Sequence, residues 1–162
     1  MYKITARGFG EGDGLCVPFL DLMSKSVVSN LWQQKQQESL EEYFAEEKAA
    51  PESTRVLYDL FAGYIARAIH GRTSLRILDV GCGVRNDYPP YAAFLAPNRQ
   101  NDGHLYVGLD PIPHNVAGRN YPFICGKLED LPAVIDEKFD VFLFSTSLDH
   151  VENIETAASA VR

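Results

Sequence analysis

The sequence predicts an α/β fold, a doubly wound parallel sheet carrying helices on its faces. Four short β-rich runs, at 75–80 (LRILDV), 104–110 (HLYVGLD), 122–126 (PFICG) and 139–145 (FDVFLFS), alternate with helical or loop segments. Strand, crossover and strand repeated in this way is the pattern of that class. The first and last runs are almost continuously apolar, as interior strands covered on both faces must be. A length of 162 residues and a 46% hydrophobic content are enough for one core and too little for two.

The elements follow in order. Residues 1–20 carry glycine at 8, 10, 12 and 14, with no apolar strand leading in; this predicts a mobile arm. Residues 30–50 are rich in helix formers and end at Pro51, so they read as a largely exposed helix with Trp32, Tyr43 and Phe44 as its buried contacts. The next segment has Val56, Leu57, Leu60, Phe61, Tyr64, Ile65, Ala68 and Ile69 at the three-and-four spacing of an amphipathic helix. Ser53 or Thr54 is placed to start it and Gly71 to close it. Residues 88–96 begin a short helix with Pro89 or Pro90 in its first turn. A weaker helical turn is expected at 128–136 and a further helix from 153. The domain reading is an arm and helical cap over 1–51 and a sheet domain over 52–162. Four strands alone would leave the apolar run 139–145 on an open edge. The expectation is therefore either the N-terminal portion of a longer protein or a homodimer that covers that edge.

Composition excludes several classes. A net charge of −7 argues against a broad nucleic-acid footprint, which needs a basic face. Three widely spaced cysteines, Cys16, Cys82 and Cys125, form no CxxC pair, so neither a disulfide framework nor a zinc site is expected. The reducing cytoplasm is the natural compartment. No apolar run approaches the roughly 20 residues of a membrane span, and no metal site is read in the sequence.

The chemistry concentrates after the first strand. In an open parallel sheet, ligands bind beyond the carboxyl ends of the strands. At that end lie Asp79, then Gly81 and Gly83, which allow a tight turn and close approach of the backbone. Asp110 ends the second strand, where an acid can accept hydrogen bonds from both hydroxyls of a ribose. A carboxylate beside the glycine turn repels a pyrophosphate and favours a cationic ligand. Arg85 or Asn86 stands where a dinucleotide fingerprint has its third glycine.

The runs ILDVGCG, VGLDP, GKLEDLP and FDVFLFSTSLDHV occur in the order and spacing of class I S-adenosylmethionine-dependent methyltransferases. Over about residues 56–162 the chain resembles the broad small-molecule group of that family. The resemblance implies a Rossmann-like sheet, of which the chain holds strands one to four of seven. It implies S-adenosyl-L-methionine as cofactor and a small-molecule methyl acceptor. Gly81, Cys82 and Gly83 would pass their backbone along the methionine part, with Asp79 near its amino group. Asp110 would bind the ribose, with Pro111 and Ile112 against adenine. The family's acid after the following glycine is replaced by Lys127, so Glu129 or Asp130 substitutes, or the Leu128 backbone and apolar contacts hold adenine. Ser145 and Thr146 match the loop facing the sulfonium. The second crossover, 111–121, is short, and its usual helix is expected to shrink to a turn.

Some of these residues have plainer readings. Cys82 reads as a small residue that fits the turn. His150 is either a general base for a hydroxyl acceptor or a structural histidine, and Asp149 shares that ambiguity. His104 and His114 have no partners at ligand spacing. Two functional alternatives stay open, a catalytically silent cofactor-binding or interaction module and an NAD-dependent oxidoreductase.

Overall fold

A computed structural model of the chain describes residues 3–5, 8–10, 17–23, 52–99, 102–112, 116–148 and 151–161, with 32, 34–36, 38 and 40 of a further helix. The described residues include seven strands: β1 (Lys3–Thr5), β2 (Gly8–Gly10), β3 (Phe19–Asp21), β4 (Arg76–Val80), β5 (Leu105–Asp110), β6 (Phe123–Cys125) and β7 (Val141–Phe144). Five of them form one sheet in the order β3-β6-β5-β4-β7, with every pair parallel. The chain lays β4, β5 and β6 to one side and then returns to place β7 on the other side of β4. That reversal opens a crevice at the carboxyl ends of the strands.

Strand alternation sorts the core into two layers. Leu78, Val80, Val107, Leu109 and Ile124 face one side, where they pack with Leu128, Leu131 and Ala157. Ile77, Tyr106, Phe123 and Leu143 face the other, under α1 (Glu52–Ile69) and a 3-10 helix at Pro90–Leu95. Ile77, Leu78, Val107 and Phe123 are fully buried, each removing about 1.5–3 kcal/mol of apolar exposure. Tyr58 and Phe61 of α1 meet Tyr91 of the 3-10 helix with ring centroids 5.7 and 5.1 Å apart. The seam of α1 is narrower than its pattern predicts. Ile65 and Ile69 are buried, but Val56, Leu57, Leu60 and Tyr64 are each more than half exposed. The helix begins at Glu52, before the two residues predicted to start it.

The second crossover is reduced among the described residues to a 3-10 turn at Val116–Gly118. The weak turn after β6 is a 3-10 helix over Leu128–Ala133 with Pro132 inside it. The last helix, α2 (Ile154–Ala160), is capped by Asn153, whose side chain accepts the Thr156 N–H at 2.9 Å. No helix of the described residues is long and apolar enough to cross a membrane.

The N-terminal segment departs from expectation. It was predicted to be a mobile arm, yet β1 and β2 pair antiparallel, and β3 extends the sheet beyond β6. Phe9 is fully buried, with Ile4, Leu20 and Leu22 beside it in the core. Gly8 is one reason the glycines are there: a Cβ on it would stand 2.0 Å from the Val17 carbonyl oxygen. Strands of three residues are too short to display a period of two, so the sequence offers no strand signal. Tyr43, Phe44 and Pro51 of the expected N-terminal helix, and Cys16, lie outside the described residues.

Candidate functional site

The crevice is a cleft lined by Val80, Gly81, Leu109, Asp110 and Gly126. Pro111, Ile112, Leu128 and Glu129 form one wall; Ser147 and Val151 come from the far side of β7. Trp32 and Gln36 of the N-terminal helix also line it. β4, β5, β6 and β7 thus deliver residues to one place, because their carboxyl ends point the same way.

Asp110 is the polar centre. It is 5% exposed, and its two oxygens accept backbone N–H groups, Oδ1 from Ile112 at 2.9 Å and Oδ2 from Gly83 at 3.0 Å. These two bonds, one on each oxygen, fix the orientation of the carboxylate. Gly81 donates its N–H to the Leu109 carbonyl at 2.8 Å, which ties the glycine turn to the end of β5. Its φ is +74°, and a Cβ there would lie 2.3 Å from Ser147 Cβ. Ser147 is itself held by a hydrogen bond from Oγ to the Val80 carbonyl. Glycine is required at 81 by backbone angle and by space together.

Asp79 sits elsewhere. It shares the face of Ile77, opposite Leu78 and Val80, and does not line the cleft. Its Oδ2 accepts the hydroxyls of Tyr91 at 2.8 Å and Tyr106 at 2.6 Å, while buried Oδ1 has no hydrogen-bond partner. Burial pushes its pKa up to about 6, against the lowering effect of the two tyrosines. Beside it, Cys82 is buried and its thiol is raised well above the ordinary value, first by burial and then by Asp110 and Asp79. An unreactive small residue, as the sequence suggested, fits that setting.

Of the residues singled out from sequence, the cleft gathers Gly81, Asp110, Pro111, Ile112, Leu128 and Glu129. Asp79, Cys82, Gly83, Ser145 and Thr146 are not part of its lining. Gly83 acts through its bond to Asp110, and Thr146 has a φ of +63° with its hydroxyl on the Ser145 carbonyl. Asp149, His150 and His114 lie outside the described residues. His104 is buried and accepts the Leu75 N–H at 3.1 Å, a structural role. Lys127 lines the cleft with its ammonium 2.7 Å from Glu152, and Glu129 accepts the Asn153 N–H at 3.0 Å. Lys127 stands at the cleft position where the resemblance places an acid, whereas Ser147 and Val151 carry no sequence signal as cleft residues. Ser147 and Val151 enter because β7 ends beside Gly81.

With that geometry in hand, comparison with known proteins is direct. A profile of the methyltransferase-domain family matches residues 78–162, just over half of the chain. The chain belongs to that family. It is similar to a ubiquinone biosynthesis O-methyltransferase of Azorhizobium caulinodans, 32% identical over 101 residues, covering 57% of this chain and 36% of the relative. In fold it is similar to the plantazolicin methyltransferase BamL, solved in complex with a triazolic desmethylPZN analog and SAH. That match has a TM-score of 0.53 at 18% identity and covers 80% of this chain and 48% of the other. The chain spans about a third of the curated relative and about half of the solved one. The Rossmann-like α/β class is as expected. The homodimer expected from the open edge of β7 finds no support.

Proposed function

We propose that the protein binds S-adenosyl-L-methionine in this cleft and serves methyl transfer to a small-molecule acceptor. The observation that carries the reading is the oriented carboxylate of Asp110 between the Gly81 turn and the apolar wall of Ile112 and Leu128. Asp110 suits the ribose hydroxyls, and Pro111, Ile112 and Leu128 suit a flat base. Asp110 and Glu129 both line the cleft, which favours a cation over a diphosphate. Gly81, with Cys82 and Gly83, would follow the amino-acid part, and Ser145 and Thr146 would border the reacting end. Asp79 lies off the cleft, held by the hydroxyls of Tyr91 and Tyr106. The ammonium of Lys127 is engaged by Glu152, and adenine would rest on apolar contacts and the Leu128 backbone.

The bound cofactor supplies an already activated methyl group. The chain's part is to orient the acceptor in line and to exclude water, for which Trp32 and Val151 are placed at the cleft. His150 is assigned the proton of a hydroxyl acceptor, the kind of oxygen acceptor named for the curated relative. Buried free thiols at Cys82 and Cys125 suit a cytoplasmic setting.

The test compares S-adenosylhomocysteine with NADH by thermal shift. A ligand at one hundred times its Kd adds about 2.7 kcal/mol, a rise of roughly 5–10 °C for a domain of this size. Stabilisation by the thioether and none by the dinucleotide is expected. The reverse outcome would replace methyl transfer with hydride chemistry. Binding without turnover across hydroxyl, amine and carbon acceptors would favour a silent module.

A further inference from the structure

The loop after the second glycine lacks a third glycine, so its own sequence does not dictate its path. A different crossover holds it. Arg119, 8% exposed, reaches from the segment before β6. Its Nη1 lies 2.8 Å from the Gly83 carbonyl, 2.7 Å from the Arg85 carbonyl and 2.6 Å from the Tyr121 hydroxyl, so its two N–H bonds are shared among three acceptors. The Tyr121 hydroxyl in turn reaches the Arg85 carbonyl at 2.9 Å. Asn120 donates its backbone N–H to the Asn86 carbonyl at 2.8 Å and its side-chain amide to Asp87. The guanidinium is seated 4.1 Å over the Phe123 ring. Three consecutive residues therefore grip residues 83–87 from outside.

The grip is transmitted to the cleft. The Gly83 N–H belongs to the peptide before Gly83 and is held by Asp110; the Gly83 carbonyl belongs to the peptide after it and is held by Arg119. With both planes fixed, the φ of +78° at Gly83 is fixed as well. Nothing lies within 4 Å of the place a Gly83 Cβ would take, so packing does not impose that angle. The bond from Gly83 to Asp110 then sets the carboxylate that lines the cleft. We infer that Arg119 is a positioning residue for the ligand-binding carboxylate of Asp110, acting through Gly83 and making no contact with the ligand. The inference rests on the cleft being a nucleoside site.

Arg119→Lys keeps the charge and removes the rigid guanidinium whose Nη1 meets both the Gly83 and the Arg85 carbonyls. Calorimetry with S-adenosylhomocysteine is expected to show at least tenfold weaker binding in this variant. Amide exchange of Gly83 should accelerate at least tenfold while the amides of β4 and β5 stay unchanged. Asp110→Asn should cost far less affinity in the Arg119→Lys background than in the wild type, because the two act along one path. A lysine variant that loses thermal stability yet keeps Gly83 exchange and affinity within twofold of wild type would make Arg119 a packing residue and overturn the inference. Should Arg119→Lys fold poorly, Tyr121→Phe, which removes one of the two hydroxyl and guanidinium contacts to Arg85, is expected to give the same changes at smaller amplitude. Failure of the wild type to bind S-adenosylhomocysteine would sink the nucleoside reading alone. Gly83 exchange then judges the clamp, and unchanged exchange in both variants would reject it.

Discussion

Asp79 is a fully buried carboxyl group with one satisfied oxygen and one orphaned oxygen. Its folded pKa of about 6 lies above the unfolded 3.8. Between those values the folded chain holds a proton that the unfolded chain has released, so stability from this group falls as pH rises from about 4 to 6. The full penalty, on the order of 3 kcal/mol, is present above that window. Asp79→Asn removes the titration. The variant's stability relative to wild type should rise by up to about that amount between pH 4 and 7, measured by urea unfolding across the range. A difference that stays flat with pH would mean the carboxyl is not sealed as described. The position of this acid at a strand end was legible in the sequence, and so was the acid at 110. The direction in which Asp79 points was not read, although alternation with Leu78 and Val80 contains it: the cleft lies on their side, and Asp79 turns toward Tyr91 and Tyr106. No sequence pattern announces those two tyrosines as its partners, because they come from different elements.

At the scale of elements, the turn after β4 separates two demands on glycine. At Gly81 the backbone angle and the Ser147 side chain both exclude a Cβ; at Gly83 only the angle does. Gly81→Ala combines left-handed strain with overpacking and should cost about 2–4 kcal/mol. Gly83→Ala carries the strain alone, about 1–2 kcal/mol. Chemical denaturation of the pair should reproduce that order, and equal losses would show that Ser147 yields freely. The glycine pattern was readable because turn chemistry is local. The obstacle at Ser147 was not, since the end of β7 comes beside Gly81 only through the parallel pairing of β4 with β7, which runs from Ile77 with Val141 to Val80 with Phe144. The same limit hid β1, β2 and β3. Three-residue strands carry no periodicity, and what makes them strands is the pairing of Phe19–Asp21 with Phe123–Cys125 and the burial of Phe9. The four runs read from the sequence, five to seven residues long with a strong apolar bias, placed β4 to β7 to within about two residues at either end.

Across the whole molecule, the sheet order explains why Gly81 and Ser147, 66 positions apart, meet. Gly81, Asp110, Leu128 and Ser147 follow four different strands and converge because every pairing in the sheet is parallel. What the sheet does not supply is a roof, and Trp32 reaches the cleft from the N-terminal helix. It is the single tryptophan of the chain, so its emission reports on this one location. A ligand seated against Asp110 and Ile112 must alter the solvent contact of an indole on the same cleft wall. Titration with S-adenosylhomocysteine should therefore shift or quench tryptophan emission with the same midpoint that calorimetry gives. Trp32→Phe should abolish the signal and weaken binding severalfold, as the loss of one flat contact would. Heat of binding with unchanged emission would separate the two parts of the molecule: the sheet would hold the nucleoside, and the N-terminal helix would take no part in closing over it.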